Sequence, residues 1–196
     1  MRNKFSEVIS KIGSKDDRIC IVVADISPAG AMVKFREKFP KRFVNCGVAE
    51  QSMVGIAAGM ALRGMRPFCY TIASFSLYRP FEMVRVDLCY QNLPVTIVGM
   101  GTGTTYSTLG GTHLTQEDIS VARSIPNMNI IAPCDPNELE DAIKYCCTKS
   151  KNPTYLRIGK VGEKNFTNKK SEKWKFGKIR LIESGKDICI LSFGPI

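Results

Sequence analysis

Seven short apolar bursts punctuate the chain, at Ile19–Ala24, Phe43–Cys46, Pro67–Ile72, Val95–Met100, Asn129–Ala132, Thr154–Ile158 and Asp187–Phe193. They are unbroken rather than alternating, the pattern of parallel strands covered on both faces. Segments with helical spacing run between them. Phe5, Val8, Ile9 and Ile12 mark the apolar face of a first helix, and Ala29–Phe39 predicts a second. A third, Val48–Arg63, is rich in small residues, with Gly55 and Gly59 spaced to admit a neighbouring backbone. A fourth spans Ser76–Asn92, with Pro80 in its first turn. A fifth begins near Thr115, whose hydroxyl and Asp118 three residues on read as a capping pair. The last opens at Asp135-Pro136-Asn137-Glu138, an N-cap carboxylate with proline at the first helical position. This alternation predicts an α/β fold: a doubly wound, mostly parallel sheet with helices on both faces.

The predicted seventh strand stands apart. It follows residues 159–178, which hold seven Lys and two Glu and so half of the net charge of +10. A run of this kind reads as a solvated linker, and no nucleic-acid motif accompanies it. A lone strand has no sheet of its own, so it predicts the opening of a second domain cut short; the alternative is pairing on the edge of the first sheet. The expected organisation is a domain over 1–160, a lysine-rich linker over 161–178 and the first strand of a truncated domain over 179–196. No apolar run approaches the ~20 residues of a membrane span, and the start is too polar for a signal peptide. The expectation is a cytoplasmic protein with neither a membrane nor a nucleic-acid partner.

Eight cysteines include no C-x-x-C pair, and several sit inside apolar runs, where reduced thiols pack as small hydrophobes. With His113 the only histidine, a zinc centre is not expected. There is no G-x-x-x-x-G-K-[ST] loop and no G-x-G-x-x-G after a strand. The run Gly99-Met-Gly-Thr-Gly-Thr-Thr follows a strand and reads as a flexible loop at a carboxyl end. Three other features fall at the same sheet edge: Glu50 at the head of an apolar helix, Phe75 and Tyr78 just past a strand, and His113 in a loop before a helix. Singly, each has an ordinary explanation: a glutamate favoured by the helix dipole, core aromatics, a surface histidine. Together, at successive strand ends, they make a site.

The stretch RFVNCGVAEQSMVGIAAGMALRGMRPFCYTIASF resembles the pyrimidine-binding domain of transketolases, which are thiamine-diphosphate enzymes. The likeness continues through GGTHLTQEDISVARSIPNMNIIAPCDPNELEDAI and YLRIGK, covering roughly residues 1–160. Spaced blocks carry it: G-x-A-E-Q, T-x-x-x-F, T-H-x-x-x-E-D and an R-x-P-x-D-like block in which Ala132 replaces the arginine. The resemblance makes Glu50 the glutamate that hydrogen-bonds the cofactor's aminopyrimidine and so promotes loss of its reactive proton. Phe75 is the stacking ring, Ile72 and Tyr78 line the same pocket, and Asp25 is an acidic position near the cofactor. His113 faces the substrate, and Arg157 binds its phosphate.

The departures are as informative. The family's diphosphate and metal motif, GDG followed by Asn, is absent from the chain. The resemblance therefore implies a split enzyme whose N-terminal subunit holds the diphosphate and Mg²⁺ (or Ca²⁺), in a homo- or hetero-oligomer acting on a small carbonyl or sugar compound. Leu109 stands where the family has a substrate-contacting Asp, Gly101 where it has His, Ala29 where it has Ser and Asn3 where it has Arg. Cofactor activation looks intact and phosphate recognition altered. The implied activity is two-carbon transfer. The alternatives are a decarboxylating relative, either a 2-oxoacid dehydrogenase β subunit or a deoxyxylulose-phosphate-synthase-like protein, and a non-catalytic binding subunit that keeps the fold.

Overall fold

Strands that are apolar on both faces need cover on both, and the chain supplies it by alternating strand with helix. The computed structural model describes residues 1–25, 31–167 and 174–194. Six strands form one sheet: β1 Ile19–Val23, β2 Phe43–Asn45, β3 Arg66–Ile72, β4 Thr96–Met100, β5 Asn129–Ile131 and β6 Thr154–Ile158. Each lies within one residue of its expected bounds. All pairings are parallel, in the order β2-β1-β3-β4-β6-β5. The order reverses direction between β1 and β3, the position at which open α/β sheets part their loops and bind ligands.

Helices α1 Arg2–Gly13, α2 Val33–Lys38 and α7 Pro136–Thr148 cover one face. There Phe5 and Ile9 of α1, Phe35 of α2 and Ile143 of α7 pack on Ile21, Phe68 and Leu156 of the strands. The other face takes α3 Glu50–Leu62, α4 Ala73–Leu77, α5 (Phe81–Met83, continuing as π-helical Val84–Tyr90) and α6 Asp118–Arg123. Met53, Ala57, Leu77, Leu88 and Ala122 meet Cys69, Ile97 and Tyr155 in that core. The buried thiols behave as hydrophobes: burial pushes Cys20, Cys89 and Cys146 up to about 12.

Four expectations are corrected. The single helix over 76–92 is two, because Pro80 cannot continue the turn below it; the chain breaks at Tyr78–Pro80 before α5. The fifth helix starts at Asp118 rather than Thr115. Thr115 is instead bridged to Gly103, whose N–H donates to its carbonyl and hydroxyl oxygens. The seventh strand does not form: a strand exists only against a partner ladder, and Asp187–Phe193 meets none among the described residues. Ile188 and Ile190 are 80% and 84% exposed there. The lysine-rich segment, finally, is anchored at its described ends. The buried Asp135 caps α7 through Glu138 N–H and also accepts from Phe166 N–H and from the Thr167 N–H and hydroxyl. Burial alone would raise that carboxyl, but these donors hold it below the usual carboxylate range. Further on, Trp174 and Phe176 pack on Tyr145 of α7, the Phe176 ring stacked at 4.7 Å. The expected helix start at Ala29 lies outside the described residues; α2 begins at Val33.

Candidate active site

A cavity of about 490 Å³ opens at the carboxyl ends of β1, β3 and β4. Four of the expected residues line it: Asp25, Glu50, Ile72 and Phe75. Glu50 is the first residue of α3, at the positive end of the helix dipole. Its side chain is only 4% exposed, the rest of the helix face behind it being Met53, Val54 and Ala57. Phe75 comes from α4, which follows directly on β3 and so places the ring beside the strand end. Asp25 sits at φ +36°, held there by Asn45: its N–H donates to Asn45 Oδ1 at 3.1 Å, and Asn45 Nδ2 donates back to its carboxylate.

Arg79, unforeseen in the sequence, joins these groups. Its guanidinium carbon lies 4.4 Å from the Phe75 ring centroid while Nη1 donates to both Glu50 oxygens at 3.2 and 3.3 Å. The carboxylate and the ring are therefore spaced to hold one flat, N–H-bearing group between them.

The remaining expected residues sit around the cavity, not in its wall. His113 is edge-on to Phe75 with ring centroids 5.1 Å apart, and its Nδ1 is 2.9 Å from the Thr112 hydroxyl. Tyr78 is half-buried; burial, with the carboxylate Glu117 next to it, pushes its phenol upward. Arg157 does not line the cavity. Its Nε donates at 2.9 Å to Oδ2 of the fully buried Asp118, which also accepts from the Tyr155 hydroxyl at 2.8 Å. Asp118 is thus a buried anchor for Arg157, not a helix cap. Leu109 is 54% exposed on the 3-10 turn Ser107–Leu109, away from the cavity wall.

Two basic residues that were not expected at the site do line the cavity, at its β4 and β6 end. Arg2, one residue before Asn3, lines the cavity, and its Nε is buried without a partner. Asn3 instead faces a separate surface hollow with Ser6 and Lys34. Lys160 places its ammonium 4.7 Å from the centroid of Tyr106, and Arg2 N–H donates to the Lys160 carbonyl at 2.9 Å. The buried Tyr70 hydroxyl, also unpartnered, completes that end; burial raises this phenol and the Arg2 charge opposes the rise. Lys160 had a signal in the sequence, since it closes the YLRIGK block.

The glycine run is not a loose loop. A Cβ on Gly99 would lie 2.5 Å from the Tyr155 hydroxyl, which crosses β4 there to reach Asp118. A Cβ on Gly101, at φ +72°, would lie 2.1 Å from the Tyr106 ring. Tyr106 fills the volume a histidine would need, so glycine at 101 follows from Tyr106 in the wall. Gly101→Ala is expected to destabilise the fold by on the order of 2–4 kcal/mol, from overpacking and positive φ together. Chemical denaturation checks this: the Gly101→Ala/Tyr106→Ala double variant should recover the overpacking part, and strictly additive losses would refute the contact.

A parallel α/β sheet with a buried carboxylate and an aromatic ring facing one cavity at its switch point defines a ligand-binding, cofactor-type site. Residues 1–162 match the family model for the transketolase pyrimidine-binding domain, and the chain belongs to that family. It is 33% identical over 193 residues to one subunit of an apulose-4-phosphate transketolase from Phocaeicola vulgatus, covering 98% of this chain and 62% of that one. It is 32% identical over 194 residues to the 6-deoxy-6-sulfo-D-fructose transketolase subunit SqwH of a Clostridium species, covering 99% and 60%. Among solved structures, a split-gene transketolase described as an inactive beta4 tetramer superposes with a TM-score of 0.84 at 30% identity, covering 95% of this chain and 59% of that one. The chain spans about three fifths of the length of these relatives. No helix among the described residues is long and apolar enough to cross a membrane.

Proposed function

We propose that this chain is the pyrimidine-binding half of a split, transketolase-like enzyme that moves a two-carbon unit between carbonyl compounds with thiamine diphosphate. One observation carries the reading: the buried Glu50 carboxylate and the Phe75 ring clasp a single planar, N–H-bearing group, the arrangement an aminopyrimidine needs. When bound, thiamine diphosphate supplies a nucleophilic carbon that adds to carbonyls. Glu50 would hold a proton shared with the pyrimidine ring nitrogen, which carries none in the neutral ring, and its apolar surroundings would strengthen that hydrogen bond. Phe75 holds the ring plane, with Ile72 and Tyr78 supporting it from the same strand end and helix, and Asp25 flanks the ring on the β1 side. Thr112 engages Nδ1 of His113, which leaves Nε2 for a substrate oxygen.

Among the described residues no three His, Cys, Asp or Glu side chains converge as a metal site. The reading assigns the Mg²⁺ (or Ca²⁺) and the diphosphate to an N-terminal-type partner subunit. Substrate anions fall to Arg2 and Lys160, which line the cavity, while Arg157 is tied to Asp118. The names of two relatives carry a phosphate and a sulfo group, chemistry that two such cations suit. In the same reading, the exposed Ile179–Phe193 stretch opens a further domain.

The partner's seat is the outer face of α3. Beyond its polar first turn this helix is apolar on all sides, and Gly55, Ile56, Gly59 and Leu62 are exposed on it with open space over both glycines. Such a face is stable in water only when another chain covers it. Amide hydrogen exchange with and without the diphosphate-holding partner tests the reading. Residues 45–80 are expected to gain protection on assembly, and unchanged exchange there would refute it.

A further inference from the structure

Arg79 occupies both surfaces that the proposed function reserves for the cofactor's pyrimidine ring. Its guanidinium is flat, cationic and rich in N–H donors, and it stacks on Phe75 while donating to Glu50. Two planar groups cannot share one ring face and one carboxylate, so the arginine and an incoming aminopyrimidine exclude each other. The way Arg79 is mounted suits a group that leaves. It sits at the Tyr78–Pro80 break between α4 and α5, and its side chain is 48% exposed. Both carboxylate oxygens share one Nη1 at 3.2 and 3.3 Å, longer and weaker than the two parallel bonds of a forked arginine–carboxylate pair. The pair also has a reason to exist: a carboxylate as buried as Glu50 is costly without a cationic or N–H partner.

We propose that Arg79 is a built-in competitor for the pyrimidine subsite, compensating Glu50 and covering Phe75 until the cofactor's ring displaces it into solvent. The proposal rests on the thiamine-diphosphate reading above. It follows that cofactor binding is weakened by the strength of an exposed ion pair plus a cation–π contact, about tenfold in affinity.

The test is calorimetric titration of thiamine diphosphate with Mg²⁺ into the chain assembled with the diphosphate-holding partner. Arg79→Ala is expected to bind about tenfold more tightly than the parent, with Arg79→Lys between them, because an ammonium keeps the charge but not the flat stacking face. Guanidinium chloride at low millimolar concentration should weaken binding to Arg79→Ala and leave the parent unaffected, a result that a merely structural ion pair would not give. Unchanged or weaker binding by Arg79→Ala overturns the proposal. Should that variant fail to assemble, parental affinity in Arg79→Lys overturns it equally. No binding by the parental assembly would instead refute the cofactor reading on which the proposal stands.

Discussion

Glu50→Gln in the assembled enzyme is expected to lower kcat by about 10²–10⁴-fold, the range of a positioned acid–base group. The amide matches the carboxylate in size, so α3 and the cavity floor should keep their packing, and co-purification with the partner subunit should be unimpaired. What the variant lacks is the negative charge. In the first turn of α3, at 4% exposure, that charge acts through an apolar medium and little water screens it. The substitution also releases Arg79, which loses its ionic partner, so Glu50→Gln alone mixes two effects. Glu50→Gln/Arg79→Ala separates them: turnover should stay low in the double variant, since removing the arginine restores no charge at position 50. Parental turnover in either variant would take Glu50 out of the chemistry.

The second large effect is expected at the opposite end of the cavity. Arg2→Met and Lys160→Met should each lower kcat/KM for a phosphorylated ketose donor by about 10–100-fold, the cost of a lost charge-assisted hydrogen bond. For an uncharged ketose the same variants should change kcat/KM little. Arg2 is the stronger candidate, because its Nε is buried without any partner in the protein. The sequence alone argues the other way: with Asn3, Gly101, Ala29 and Leu109 in place of Arg, His, Ser and Asp contacts, phosphate recognition looks depleted. Under the proposed function Arg2, one residue before Asn3, takes the place of the first of those charges; Ala29 lies outside the described residues. Equal losses for charged and uncharged donors would show that Arg2 and Lys160 support the wall without reading the anion.

The sheet was legible because its signal is local. A strand buried on both faces must be continuously apolar, and six of the seven bursts are strands. Asp187–Phe193 has the same composition and is not one, because strand formation depends on a partner ladder that composition does not report. Glu50 and Phe75 were legible from their places at strand ends, and Ile72 and Asp25 only through the family resemblance. The rest depended on tertiary contacts. Nothing local says that Asp118 will leave its helix cap for Tyr155 and Arg157, or that Gly99 and Gly101 are glycine because two tyrosine rings cross them. Arg79 was hidden for another reason: as a charged residue beside a proline, it reads as an ordinary helix boundary.

At the centre of this account, the chain supplies the carboxylate that activates thiamine diphosphate held on a partner subunit. Proton–deuterium exchange at C2 of the cofactor, followed by NMR after rapid quenching, tests it most directly. The assembled pair should exchange that proton at least about 10²-fold faster than either subunit alone or the pair carrying Glu50→Gln. Exchange at the same rate in the parental and Glu50→Gln pairs would contradict the account.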